Sequence, residues 1–171
     1  MKKIATLTAL LTAALAAPGL MAAELPKSAT LQYSGNYKIP ATMNFTRSGN
    51  SYKIVSTIKV PLYRIRFESG GSISGDTLQP KYYKETRDGK LYTEVTFNGD
   101  SVTYGKAGDK KSKTVSGTTM DLFTLAWQLA ANDAQLPPNL SVTNGKKIYT
   151  VNNMTNAGTS SYKFGGGSTP V

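Results

Sequence analysis

From Thr30 to Tyr104 apolar residues return at every second position, in short runs cut by Gly, Asn, Asp and Pro, and this period constrains the fold more than any other feature of the chain. Successive side chains of a strand point to opposite faces, so such runs describe strands with one buried and one wet face. Leu31, Tyr33, Tyr37 and Ile39 share a face with Gly35, and Pro40 ends that run. Met43 and Phe45 continue on a second strand, which turns at Ser48, Gly49 and Asn50. Tyr52, Ile54, Ser56, Ile58 and Val60 alternate with Lys53, Thr57 and Lys59. Between Leu62 and Glu68, Tyr63, Ile65 and Phe67 point one way while Arg64, Arg66 and Glu68 point the other. Ser69, Gly70 and Gly71 predict a turn, and Lys106 to Lys113 reads as a polar loop rich in lysine. Asp88-Gly89, Asn98-Gly99 and Asn144-Gly145 are dipeptides suited to tight hairpins. The expectation is a meander of neighbouring antiparallel strands.

One segment breaks this period. Thr118 to Asn132 reads as a helix, with Thr118 or Thr119 able to cap it and Asp121 in its first turn, where the helix dipole favours negative charge. Leu122, Leu125, Ala126 and Leu129 recur at helical spacing, and Met120, Phe123, Trp127 and Ala130 widen the stripe. Asp121, Thr124 and Gln128 form a narrow polar edge. A helix apolar over most of its circumference is buried on more than one side. The fold expected is therefore mainly β: a strongly curved antiparallel sheet or incomplete β-barrel wrapped around one helix.

The N-terminus reads differently. Lys2 and Lys3 precede an apolar run from Ile4 to Ala17, then Pro18, Gly19 and small residues at Ala22 and Ala23. That order is expected of a secretory signal peptide over residues 1–23, shorter in its apolar part than the ~20 residues that span a bilayer. The remainder divides into a β-rich domain over 24–164 and a Gly-rich tail over 165–171, and no segment of the mature chain has the length and hydropathy of a transmembrane span. Export to a Gram-negative periplasm follows as the expected location. Removing the two leader lysines leaves 18 of the 20 basic residues against 10 acidic ones, a net charge of +8. That balance suits anionic partners such as lipid, lipopolysaccharide or another envelope component by peripheral membrane contact, with nucleic acid a poor partner for an exported chain.

The sequence contains no His and no Cys, which removes the commonest general base, the commonest zinc ligands and every thiol nucleophile or disulfide. No metal, cofactor or catalytic residue is expected. Ser56-Thr57-Ile58-Lys59 matches a Ser-x-x-Lys spacing, but its Ser lies in mid-strand and no Lys-Thr-Gly follows. Glu85, Glu94 and Asp100 lie on or beside the central hairpins, where cross-strand ion pairing is the better reading of Glu85 and Glu94. Two candidate surfaces remain. Tyr63, Ile65 and Phe67, with Leu122, Leu125 and Trp127, would line an apolar ligand site between sheet and helix; Arg64, Arg66, Lys53 and Lys59 would form a basic stripe for anionic surfaces.

Phe67-Glu68-Ser69-Gly70, then Gly75-Asp76-Thr77-Leu78-Gln79-Pro80, the Asp88-Gly89 hairpin and the helix opening Met120-Asp121-Leu122 resemble an exported bacterial family catalogued as domain of unknown function 3108. The resemblance covers most of the mature chain and carries structural motifs, not chemistry. It also implies a longer protein, since its members continue into further strands where this chain has Gly167 to Val171, so truncation with an unpaired sheet edge is expected. The leading functional expectation is a periplasmic, non-enzymatic binding or carrier protein of the cell envelope, with an apolar or amphipathic ligand between sheet and helix. The alternative is a scaffold acting through a basic face or open strand edge, and an enzyme stands third.

Overall fold

Seven of the strands that the alternation predicts, and one that it does not, join into a single sheet. In the computed structural model, which describes residues 25–34, 39–132, 134–151, 161–164 and 167–170, these are β1 (Ser28–Ser34), β2 (Pro40–Ser48), β3 (Ser51–Val60), β4 (Tyr63–Ser74), β5 (Thr77–Arg87), β6 (Lys90–Asn98), β7 (Ser101–Lys106) and β8 (Asp109–Thr114). Their spatial order is their chain order and every neighbouring pair is antiparallel, so the meander is as expected. The sheet is open, with β1 and β8 at its edges. At β5–β6, Asp88 and Gly89 both hold positive φ, the backbone that a two-residue hairpin of matching twist requires. The expected leader over 1–23 and the expected strand residue Tyr37 lie outside the described residues.

Two expectations about this sheet are corrected. Ser69 to Gly71 is not a turn: β4 runs on to Ser74, and the glycines mark a register shift against β5. A bulge bends a strand without ending it. A side chain at Gly71 would collide with the Gln79 carbonyl across that bulge, so glycine here reflects close backbone approach. Lys106 to Lys113 is not a continuous loop but the end of β7, a two-residue turn at Ala107 and Gly108, and most of β8, whose six residues are all exposed. An edge strand needs no apolar face, and its lysines keep that edge from pairing with other chains.

After β8 come β9 (Thr119–Asp121), helix α1 (Leu122–Ala131), β10 (Ser141–Thr143) and β11 (Ile148–Thr150). β10 pairs with β11 across the expected hairpin and with β9 in parallel, making a small second sheet. β12 (Ser161–Phe164) and β13 (Gly167–Pro170) form a further hairpin. The tail was expected to be a loop throughout; backbone pairing at Gly167–Pro170 needs no apolar side chains.

The core lies on both sides of α1. On the large sheet, Phe45, Tyr52, Ile54, Ile73 and Leu78 pack with Trp127 and Ala131, while Tyr83, Val95, Val102 and Val115 form a second cluster that Phe123 also touches. On the small sheet, Met120, Leu140 and Val142 take up Leu125. The helix is thus buried on two sides, as its composition requires. Strand registers place the inner face in rows, of which Ala29, Phe45, Ile54, Ser69, Tyr83, Val95 and Tyr104 are one. The next row toward the β3–β4 turn is Leu31, Met43, Ser56, Phe67, Glu85 and Thr93, and beyond it lie Tyr33, Ala41, Ile58, Ile65 and Arg87.

Gly71→Ala should lower unfolding free energy by about 3 kcal/mol through overpacking. Gly75→Ala, with positive φ but open space around it, should cost about 1 kcal/mol. Urea unfolding of both variants checks this, and equal losses would contradict the close-approach account.

Candidate functional site

The helix meets the large sheet through its polar residues. Asp121 is the N-cap: its Oδ1 accepts the backbone N–H groups of Phe123 and Thr124, both at 3.0 Å. Helical structure therefore begins at Leu122, and Thr118 and Thr119 do not cap it. The Asp121 Oδ2 lies 2.6 Å from Ser69 Oγ on β4 and 2.7 Å from Thr124 Oγ1. Thr124 Oγ1 in turn lies 2.9 Å from Ser69 Oγ and 3.0 Å from the Tyr52 hydroxyl on β3. One turn on, Gln128 accepts the Leu78 backbone N–H at 2.7 Å and donates to the Asp76 carbonyl at 3.0 Å, which ties α1 to the β4–β5 hairpin.

The expected polar edge thus faces the large sheet, and only part of the expected apolar stripe packs against it. Thr124, Trp127, Gln128 and Ala131 are buried, while Leu122 is 53% exposed and Ala126 and Ala130 are exposed on the other side. Steps of about 100° per residue put Leu122 nearly opposite the buried face. The polar edge can face inward because each of its groups finds a partner there, which removes most of the cost of burying it.

Burial pushes the Asp121 carboxyl above its ordinary range, against the Ser69 and Thr124 hydrogen bonds that favour its ionised form. Proton counting points the same way. Tyr52, Ser69 and Thr124 bring three hydroxyl protons to the four oxygen–oxygen contacts around Asp121, so an ionised carboxylate leaves one contact without a proton and a neutral carboxyl fills all four. Burial also raises the Tyr52 and Tyr83 hydroxyls.

The six residues expected to line one apolar site are dispersed. Trp127 stacks on Phe45 at 4.3 Å between ring centroids, and its indole N–H has no partner among the described residues, so packing is its contribution. Phe67 stands in an aromatic group with Phe123, at 5.1 Å, and Tyr83. Leu125 packs on the small sheet and Leu122 faces away. Tyr63 and Ile65 remain on the inner face beyond the helix, beside an uncovered apolar strip that includes Leu31 at 38% exposure and Tyr33 at 45%. Leu31 and Tyr33, on the edge strand, are the residues that the candidate set lacked; their period-two spacing was the available signal.

The basic stripe divides. Lys53, Lys59, Arg64 and Arg66 do share the outer face, but Glu68 takes both Lys53 and Arg66. Burial raises the Glu68 carboxyl, and the Lys53 and Arg66 hydrogen bonds outweigh this and hold it below its usual range. Burial and neighbouring Glu68 push Tyr82, which donates to that carboxylate, up to about 12. Lys59 and Arg64 form no ion pair among the described residues. Further along, Lys84 and Lys110 pair with Glu94, and Lys110 in particular holds that carboxyl low.

Glu85, paired with Arg87, stands on the inner face, and Glu94 stands on the outer one, so the sheet separates them. Ser56 and Lys59 likewise point to opposite faces of β3. Among the described residues no cluster of three or more acidic residues could hold a metal ion. A cleft of about 800 Å³ at the far end of the sheet is lined by Leu78, Pro80, Phe97, Asp100 and Thr119 among others. No described helix is long and apolar enough to cross a membrane. No protein-family model, curated protein or solved structure matches the chain.

A raised carboxyl binds its proton more tightly in the folded state, so its stabilising effect is complete below the unfolded value and is lost as pH rises through the folded one. Starting from the ordinary aspartate value of 3.8, the stability of the wild type relative to Asp121→Asn should therefore fall as pH rises. Denaturant melts of both proteins across that range test the sign, and a difference that grows with pH would contradict it.

Proposed function

We propose that this is a non-enzymatic binding or carrier protein for an apolar or amphipathic ligand, held on the inner face of β1–β4 between the helix and the β3–β4 turn. The observation that carries this is an apolar strip left open on the concave side of an otherwise well-packed sheet. Leu31, Tyr33 and Tyr63 are exposed there, and Ala41, Met43, Ile58 and Ile65 are half-buried beside them. A protein that needed only to fold would cover that strip, since contiguous exposed apolar surface marks a binding site or an aggregation risk. The Glu85–Arg87 pair at one end of the strip gives it a polar limit, which suits a ligand with one polar end.

The site first expected, directly between helix and sheet, is occupied by side chains: Trp127 on Phe45, and Phe123 among Phe67 and Tyr83. The ligand is therefore placed beside the helix and not beneath it. An envelope location is part of the proposal and rests on the reading of residues 1–23 as an export signal. Kinship with the exported family named above is likewise proposed, on the motifs quoted. A scaffold acting through the basic stripe is the weaker reading, because Glu68 engages half of that stripe.

The full chain should bind 1-N-phenylnaphthylamine with a fluorescence rise. Tyr33→Ser with Ile65→Ser should weaken that binding about tenfold, equivalent to about 1.4 kcal/mol, while Leu122→Ser leaves it unchanged. Equal probe affinity in all three proteins would sink the proposal.

A further inference from the structure

The β3–β4 turn breaks two local rules at once. The other described hairpin turns of the large sheet each contain a positive-φ glycine, at Gly49, Gly75, Gly89, Gly99 and Gly108. Between Val60 and Tyr63 the two turn residues are instead Pro61 and Leu62, neither with positive φ. Nothing in the turn geometry calls for leucine, yet Leu62 is 92% exposed. The second rule concerns charge. Lys59 and Arg64 sit directly opposite one another, and like charges in that position oppose strand pairing. Local violations of this kind are expected where function requires them.

We propose that this turn is a docking tip for a lipid bilayer carrying anionic headgroups. Leu62 and the adjoining Pro61 would enter the acyl boundary, and Tyr63, 43% exposed, would sit at headgroup level, where its apolar ring and polar hydroxyl both find their medium. Lys59 and Arg64 stand just behind the apolar tip, and exposed Lys90 follows on the neighbouring hairpin. None of the three has an ion-pair partner among the described residues. Asp88 is the acid beside them, and its Oδ1 accepts the Arg64 backbone N–H at 2.9 Å while its own N–H donates to the Arg64 carbonyl at 2.9 Å. The tip is thereby braced against the β5–β6 turn and keeps a net positive charge.

A protein partner fits less well, since stable interfaces need roughly 800 Å² from each side, and one hairpin tip offers far less. A bilayer needs only a few inserted side chains and a matching charge. The tip also continues into the inner apolar strip, because Val60 and Tyr63 are followed by the Ile58–Ile65 pair on the same face. This inference stands on the turn itself and does not depend on a ligand occupying that strip.

Full-chain protein should sediment with vesicles of phosphatidylglycerol and phosphatidylethanolamine, and at least tenfold less with phosphatidylcholine alone. Leu62→Asp should reduce the first partition at least tenfold with an unchanged melting temperature, as should Lys59→Glu with Arg64→Glu. Both variants should still bind 1-N-phenylnaphthylamine, which separates loss of docking from loss of the ligand strip. Wild-type protein that ignores anionic vesicles overturns the proposal. So does a Leu62→Asp protein that binds them as the wild type does and is displaced equally by polyglutamate, since that is general adhesion of a basic surface.

Discussion

The position of α1 depends on one buried carboxyl group. Asp121 is fully buried, ends a short strand, begins the helix and meets β4 through Ser69. Burying a carboxyl group is costly, so the site holds only because each of its oxygens finds hydrogen-bond partners among backbone N–H groups and hydroxyls. Once Asp121 and Thr124 fix the first turn, the 3.6-residue repeat carries Trp127 onto Phe45 and Gln128 onto the β4–β5 hairpin. The aromatic cluster of Phe67, Tyr83 and Phe123 then fills the space beside the cap. Hydrogen bonds set the orientation and apolar packing follows it.

This explains which parts of the fold were legible in the sequence. The strands were, because alternation such as Tyr52-Ile54-Ser56 against Lys53-Thr57-Lys59 reports directly on two unlike faces. The hairpins were, because Asp88-Gly89 supplies the backbone that its turn demands. The helix face was not. Hydrophobic periodicity ranks Leu122, Leu125 and Leu129 above Thr124 and Gln128, and it cannot register that Ser69 and the Leu78 N–H await those polar groups across more than forty residues of chain. The glycine bulge at Gly70 and Gly71 resembles a turn locally, and only the approach of Gln79 distinguishes the two. Strand β8 carries no apolar signal at all, since an edge strand exposed on both faces requires none. For the candidate site the same limits apply: Ile65 and Tyr63 were found by alternation and Trp127 stands at the helix–sheet interface as expected, though as packing on Phe45, whereas Leu122 was misplaced with the helix face.

The functional reading follows from what the helix leaves uncovered. Because α1 is held to Ser69, Tyr52 and Leu78, it packs over the part of the inner face away from the β3–β4 turn. The apolar rows of β1–β4 nearer that turn are left partly open, and they lead to a tip with an exposed leucine and cations that form no ion pair among the described residues. Opening an apolar strip costs stability, and the dense packing beneath the helix offsets it. A filled core at one end and an open strip at the other suit a protein that receives an apolar molecule from an anionic surface.

The measurement closest to the central claim is native-state hydrogen exchange at three amides, those of Phe123, Thr124 and Leu78, whose acceptors are the Asp121 and Gln128 side chains. If the polar seam holds helix and sheet together, these amides exchange only by global unfolding, as slowly as core-strand amides such as those of Ile54 and Val95. Exchange about a hundredfold faster than in those strands would mean that the helix leaves the sheet on its own, contradicting the seam as the anchor of the fold.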